Sequence, residues 1–393
     1  MNPATISRSA TERFVTGMPA AEALASEAER LNAKRVFILA GGTLTRGTDE
    51  IARIVERLGP RHAGTFARIG AHAPLSDVIG AINQARDAEA DLIVTVGGGS
   101  ITDSGKVVAL GLKAGVESMT DSERFLATYR WGSGNGVSGA ATAPDVRVVC
   151  VPTTLSAGEI NRVAGVMHDE RGKIGFEHAD NVPVTIIYDP WISRHTPEGL
   201  WLSTGVRAID HATETLASLR SNDYCDAIAA MSLNLLADGL VRSKRDPEDF
   251  EGRLRCQIGA WQSMIPIVNG VPMGASHAIG QGLGSICQVP HGHTSCVMLP
   301  AVQQWNAGTV PERLRRVSAV LGDENRPAHE LLDELIRGLD QPRSLHEVGV
   351  ETDDALFARI ADHAMANPWG KTNPRSIEEP ADMIDILRIA AAA

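Results

Sequence analysis

Strand signals stop at Tyr188. Up to that point short apolar runs alternate with helix-like segments, and beyond it only helical periodicity remains. Arg35-Val36-Phe37-Ile38-Leu39-Ala40 is closed by Gly41-Gly42, and Asp91-Leu92-Ile93-Val94-Thr95-Val96 ends in Gly97-Gly98-Gly99-Ser100. Arg147-Val148-Val149-Cys150-Val151 leads into Pro152-Thr153-Thr154, and Thr185-Ile186-Ile187-Tyr188 is ended by Asp189-Pro190. Helical spacing fills 20–31, 51–58 and 76–89, with a further unit beginning near Thr65. Apolar strands separated by helices imply parallel pairing in an open sheet covered on both faces. After Trp191, residues 197–220, 222–243, 249–264, 271–285, 294–306 and 310–321 read as helices. The expectation is an α/β domain over 1–194 followed by an all-helical domain over 195–393. The Gly-, Ser- and Ala-rich stretch 131–144 reads as a flexible surface loop or hairpin.

A chain of 393 residues suffices for two such cores. The net charge of −11 argues against a nucleic-acid or anionic-membrane surface, because phosphate contacts need clustered Lys and Arg. Five cysteines without a CxxC pair or a regular framework read as reduced thiols of a cytoplasmic protein. No signal-type segment opens the chain and no run of about 18 apolar residues occurs, so no membrane span is expected.

Gly97-Gly98-Gly99-Ser100-Ile101-Thr102-Asp103-Ser104-Gly105-Lys106 follows a strand and opens a helix. Glycines let backbone N–H groups approach a pyrophosphate, and a helix N-terminus adds donors and a favourable dipole. Such a turn also serves plain helix–strand packing in many α/β proteins. Asp103 and Lys106 can equally form a local helix ion pair worth only about a few tenths of a kcal/mol. Thr153 and Thr154 offer hydroxyls that can face a ligand or cap a turn.

Arg207 and His211 lie one helical turn apart and project onto one face. Asp210, one position before His211, is expected to point off that face. His277 stands in Gly274-Ala275-Ser276-His277-Ala278 and His291 in Val289-Pro290-His291-Gly292. A single buried histidine is usually hydrogen-bonded core, so the histidines carry weight only through their frames.

Those frames are GGGSxxDxxK, PTT followed by Glu159, GxxAxxHAxE, GxxHAxxxxLG and PHGxxxxVxLP, in that order. In this order the chain resembles the group III, iron-containing alcohol dehydrogenase superfamily, nearest its maleylacetate reductase branch. That branch shares the shortened Pro152–Glu159 segment, and the resemblance runs down to Asn373-Pro374-Arg375. It implies a Rossmann-like domain and a helical substrate domain in a dehydroquinate synthase-like architecture, with a nicotinamide cofactor between them, and a homodimer. It also implies hydride transfer between NAD or NADP, NAD favoured, and a small oxo-acid, ketone or alcohol. Gly41, Gly97, Gly98, Gly99, Ser100, Asp103, Thr153, Thr154 and Lys173 match its cofactor-binding positions. Gly41 stands where many members carry an aspartate that excludes a 2′-phosphate, and Arg46 follows, so NADP is acceptable.

In the superfamily an aspartate, a histidine four residues later and two distant histidines hold a divalent ion. Arg207 stands at the aspartate's place, and a guanidinium is always charged and offers no lone pair. Metal-independent catalysis by Arg207, His211, His277 and His291 is therefore expected. Arg207 is suited to an oxyanion or a substrate carboxylate, and one imidazole, with its near-neutral ordinary pKa, to proton delivery. Gln281 replaces a further histidine common in the family. The competing readings are an iron- or zinc-dependent alcohol dehydrogenase with Asp210 as the missing carboxylate, a lyase of the dehydroquinate synthase type, and a non-enzymatic binding module.

Overall fold

The computed structural model describes residues 5–7, 9–130 and 142–393, so most of the expected 131–144 loop lies outside the described residues. The chain forms two compact units, Arg8–His195 and Thr196–Ala393, the second including the N-terminal residues up to Ser7.

The first unit carries strands β1 (Arg13–Thr16), β2 (Val36–Ala40), β3 (His62–Phe66), β4 (Leu92–Gly97), β5 (Arg147–Pro152), β6 (Val163–His168), β7 (Gly172–Glu177) and β8 (Thr185–Tyr188). Its helices are α1 (Ala20–Arg30), α2 (Gly42–Gly47), α3 (Glu50–Leu58), α4 (Leu75–Asp87), α5 (Gly99–Ala114), α6 (Ser122–Tyr129) and α7 (Pro190–Ser193). Six strands form one parallel sheet in the order β1-β8-β5-β4-β2-β3. Alternate residues of each strand feed opposite faces. Val36, Ile38, Ala40, Val94 and Val149 pack with Leu24 of α1 and Ile51, Ile54 and Leu58 of α3. Phe37, Leu39, Ile93 and Val148 pack with Ile82 of α4, Val107 and Leu110 of α5 and Phe125 of α6. Gly105 makes the second layer possible: a Cβ there would lie 2.1 Å from Thr95 Cγ2.

Strands β6 and β7 pair antiparallel in a separate hairpin. Neither they nor β1 announce themselves in the sequence. The hairpin alternates half-buried and buried positions instead of forming an apolar run, and β1 is short and polar at both ends.

The second unit is helical among its described residues: α8 (Glu198–Ala217), α9 (Asp223–Arg245), α10 (Phe250–Val268), α11 (Ala275–Cys287), α12 (His291–Asn306), α13 (Pro311–Val320), α14 (Ala328–Gly338), α15 (Asp354–Ala366) and α16 (Pro380–Ala391). Asn222 and Asp249 cap α9 and α10 with side-chain oxygens on backbone N–H groups. Helix α9 is long and apolar enough to cross a membrane by length and composition alone. Its apolar side packs against α8 and α10, and basic residues fill its last turn, as in a core helix of a helical bundle. Pro300 inside α12 lacks the N–H that would meet the Cys296 carbonyl, and buried Arg343 donates Nη1 to that oxygen at 3.1 Å instead.

Candidate active site

Strand β3 lies on one side of β2 and β4 on the other, so the chain reverses its direction of sheet growth between β2 and β4. In open parallel sheets ligands bind outside the carboxyl ends of strands at such a reversal. Gly41 and the glycine turn meet there: Gly41 N–H donates to Val96 O at 2.9 Å. A Cβ on Gly41 would lie 3.8 Å from that carbonyl, ordinary contact, whereas on Gly97 it would press on Ile101 Cγ1 at 2.8 Å. Gly97 is therefore a packing glycine. Thr153 joins them through its N–H to Gly97 O at 3.0 Å. Gly98 and Gly99 face the next segment, where added Cβ atoms would stand 3.0 Å from Thr154 Cγ2 and 3.0 Å from Ser156 Oγ. Ser100 lies in the first turn of α5, where the Ile101 and Thr102 N–H groups turn back to Gly98 O at 3.0 and 3.1 Å and those of Gly99 and Ser100 have no earlier helical carbonyl to meet. The Arg46 guanidinium folds over Gly42, about where a Cβ would sit 2.9 Å from it. Glycines without room for side chains, a helix start and two threonines fit a dinucleotide's phosphates.

Asp103 and Lys106 have a different task. Lys106 is completely buried and donates its three ammonium hydrogens to Gly158 O (2.9 Å), Asn161 O (3.0 Å) and Val163 O (2.8 Å), with Asp103 Oδ1 at 3.2 Å. Asp103 Oδ2 accepts the Gly165 N–H at 3.0 Å. The pair thus ties the β6–β7 hairpin to α5. Lys173 lies across Gly165, where a Cβ would meet its Cε at 2.7 Å. Asp103 and Lys173 come together through this hairpin, away from any direct bond to the glycine turn among the contacts described.

Glu159 turns into the interior and accepts the Tyr188 hydroxyl at 3.2 Å. Burial pushes its carboxyl up to about 7, against Tyr188 and Lys106. A raised carboxyl pKa contributes stability below the unfolded value near 4.5 that is lost as pH rises through about 7. Glu159→Gln should therefore melt progressively higher than the parent protein as pH is taken from 5 to 8, by calorimetry. A melting-point difference independent of pH would refute this.

In the helical unit, α8 presents Arg207, Asp210, His211 and Glu214 along one side. Asp210 does not point off the shared face: it is completely buried, because positions three and four apart on a helix are neighbours. Its Oδ2 accepts Ser276 Oγ at 2.8 Å and Ser295 Oγ at 2.7 Å. Arg207 Nη1 donates to the same Ser295 Oγ at 3.1 Å. Glu214 accepts the N–H groups of Gly274 and Ser276 at the start of α11, both at 2.9 Å, and His277 Nδ1 at 2.8 Å. All three contacts on this carboxylate are donors, so the ionised form suits it although burial pushes its pKa up. His277 Nε2 and Asp210 Oδ1 are buried without a hydrogen-bond partner.

His211 stacks on His277 with centroids 4.9 Å apart and sets Nδ1 against Ser263 Oγ at 3.3 Å. Ser263 gives its own proton to Ala260 O at 2.7 Å, so Nδ1 of His211 carries the hydrogen and Nε2 the lone pair. Burial pushes His277 down to about 3 and His211 well below its ordinary value, with neighbouring Arg207 lowering both. The near-neutral imidazole expected from the sequence is therefore corrected for these two: both stay neutral. His291 begins α12 on the exposed side and is close enough to lower His211 further. Gln281 accepts Asn367 Nδ2 at 2.6 Å, a structural bond. Asn373 braces the start of α11 by accepting Ala275 N–H at 3.3 Å.

Asp210, Glu214 and His277 set one potential ligand atom each within 4.8 Å of one another. Asp210 Oδ2, both Glu214 oxygens and His277 Nδ1 are engaged with serine hydroxyls, backbone N–H groups and each other, while Asp210 Oδ1 and His277 Nε2 have no hydrogen-bond partner. The other set, His211, His277 and His291, has a guanidinium one turn before His211, which repels a cation in a poorly solvated site.

The family model described as iron-containing alcohol dehydrogenase matches residues 11–190, and that of the Fe-containing alcohol dehydrogenase family, C-terminal, matches 201–391. Dehydrogenase FUM7 of Gibberella moniliformis is 30% identical over 98% of this chain and 97% of its own. Maleylacetate reductase 1 of Cupriavidus pinatubonensis is 27% identical over 96% of this chain and 94% of its own. The crystal structure of maleylacetate reductase from a Rhizobium species superposes with a TM-score of 0.82 at 26% identity, covering 100% of this chain and 99% of that one. The chain is an oxidoreductase of the dehydrogenase and reductase class. It belongs to the iron-containing alcohol dehydrogenase family, with a maleylacetate reductase-like sequence and the family's Rossmann-like and helical architecture.

Proposed function

We propose that this chain is an NAD(P)H-dependent reductase of small carbonyl compounds, oxo-acids or ketones, that works without a bound metal. The observation that carries this is Arg207, joined through Ser295 to Asp210 at the position where a ligand carboxylate would stand. A nicotinamide nucleotide supplies the hydride, and Gly41, Gly98, Gly99, Ser100, Thr153 and Thr154 hold its phosphates and ribose, with Gly97 packing the turn and Lys173 and Asp103 at the adjoining hairpin. The absent carboxylate at Gly41 and the guanidinium of Arg46 support acceptance of NADP beside NAD.

Arg207 holds the oxyanion that develops as the carbonyl is reduced, or grips a substrate carboxylate with two N–H bonds. Neutral His277 and His211 offer Nε2 lone pairs that orient the alcohol hydroxyl. With both buried imidazoles held neutral, the proton reaches the product oxygen by way of exposed His291. The resemblance to maleylacetate reductases supports a carboxylate-bearing substrate.

The test is a panel of maleylacetate, 4-oxopentanoate, cyclohexanone and propanal, followed by loss of NADH or NADPH absorbance, with elemental analysis of the protein. Turnover should be unchanged by chelator, and iron and zinc should be well below one per chain. The orphaned Nε2 of His277, with Nδ1 held by Glu214, favours a second reading, since carboxylates orient zinc-bound imidazoles in this way. One metal per chain and loss of activity on chelation would establish that reading instead.

A further inference from the structure

We propose that Asp210 and Ser295 are positioning residues that aim Arg207, a carboxylate–hydroxyl–guanidinium unit in place of the carboxylate–metal contact of the family. The inference deepens the metal-free reading and rests on it.

The direction of each hydrogen bond supports the unit. A guanidinium can only donate, so Ser295 Oγ must accept from Arg207 Nη1. The hydroxyl proton of Ser295 is then free for Asp210 Oδ2, where it is found at 2.7 Å. Ser276 gives its proton to the same oxygen at 2.8 Å, which fixes the carboxylate from the other side. Asp210 stands three residues after Arg207 on α8, so the negative charge opposes a cation on the same helix face. Both serines are buried at about 1% exposure, and the guanidinium lies in a site whose burial disfavours charge. A cation there needs a fixed counter-charge, and Asp210 supplies it through one hydroxyl.

Acting through Arg207 distinguishes this role from ordinary packing. Without the Ser295 hydroxyl the guanidinium loses one anchor and swings among rotamers, and small misplacements of a charged group cost catalysis heavily. The binding of cofactor depends on other residues and is untouched.

The test is a double-mutant cycle on the full-length holoenzyme, with the panel compound reduced fastest by the parent protein. Ser295→Ala should lower kcat about tenfold while the KM for nicotinamide nucleotide stays within about twofold, an effect of about 1.4 kcal/mol. In an Arg207→Met background, read by single-turnover rates, the same Ser295→Ala change should have less than about twofold effect. Asp210→Asn should show the same coupling where it folds; Ser295→Ala carries the test alone where it does not. Equal tenfold losses in both backgrounds, or no loss in the Arg207 background, would overturn the positioning role while leaving Arg207 itself in place. If Arg207→Met retains full activity, both the positioning role and the metal-free reading fall.

Discussion

Arg207→Asp should lose about two to three orders of magnitude in turnover, the usual loss on removing one oxyanion donor from a preorganised site. The substitution replaces the only cation opposing Asp210 and Glu214 among the hydrogen-bonded groups of this cluster with a third carboxylate. Crowding three acids around neutral His211 and His277 should also lower the melting temperature. Zn²⁺ should recover that loss, because the new carboxylate stands one turn before His211 and a ligand that binds only the folded state stabilises it. Arg207→Met should lose activity to a similar degree and gain no zinc response. Cofactor affinity should stay the same in both, since the glycine turn belongs to the α/β unit. Full activity in either variant, or a parent enzyme silenced by chelator, would remove Arg207 from the chemistry.

Gly98→Val should raise the dissociation constant for the nicotinamide nucleotide by about tenfold or more, a penalty of at least about 1.4 kcal/mol. A Cβ at Gly98 meets Thr154 Cγ2 at 3.0 Å, so the branched side chain must push into the crevice at the end of β4 or displace Thr154. Either movement removes space that a pyrophosphate needs against the start of α5. The fold should survive, because the obstacle is the far side of a threonine and not a strand. Gly105→Val is the contrast: 2.1 Å from Thr95 Cγ2, it should unfold the unit irrespective of cofactor. Isothermal titration with NADH and NADPH reads the effect, and unchanged affinity in a folded Gly98→Val protein would exclude the turn from the cofactor site.

The two halves were legible for simple reasons. Strands β2, β4, β5 and β8 are continuous apolar runs because both faces are covered, and such runs stand out against amphipathic helices. The hairpin was not legible. Its pairing rests on Lys106 and Asp103, whose bonds reach more than fifty residues along the chain to the loop that starts it. The spacing of those two residues resembles a cofactor motif and says nothing of the three carbonyls that fully engage the lysine. Arg207, His211, His277 and His291 stood out through their frames, yet Ser276 and Ser295 carry no signal at all. A serine in a helix is recognisable as a hydrogen-bond relay only when its partners are known.

Asp210 marks the boundary most clearly. Its place three residues from Arg207 and four from Glu214 puts it on the same helix side, whereas its place one residue before His211 had led to the opposite expectation. By itself the sequence determined the apolar strands β2, β4, β5 and β8, the helical second half, the glycine turn and an arginine one turn before His211, all of them local in the chain or carried by residue type. Tertiary structure alone decided the rest: which oxygen each serine serves, that His211 and His277 are held neutral, and that Asp210 faces Arg207 through a hydroxyl of α12. Burial and hydrogen-bond direction depend on which distant segments close around a group, and residue order does not specify that until the chain has packed.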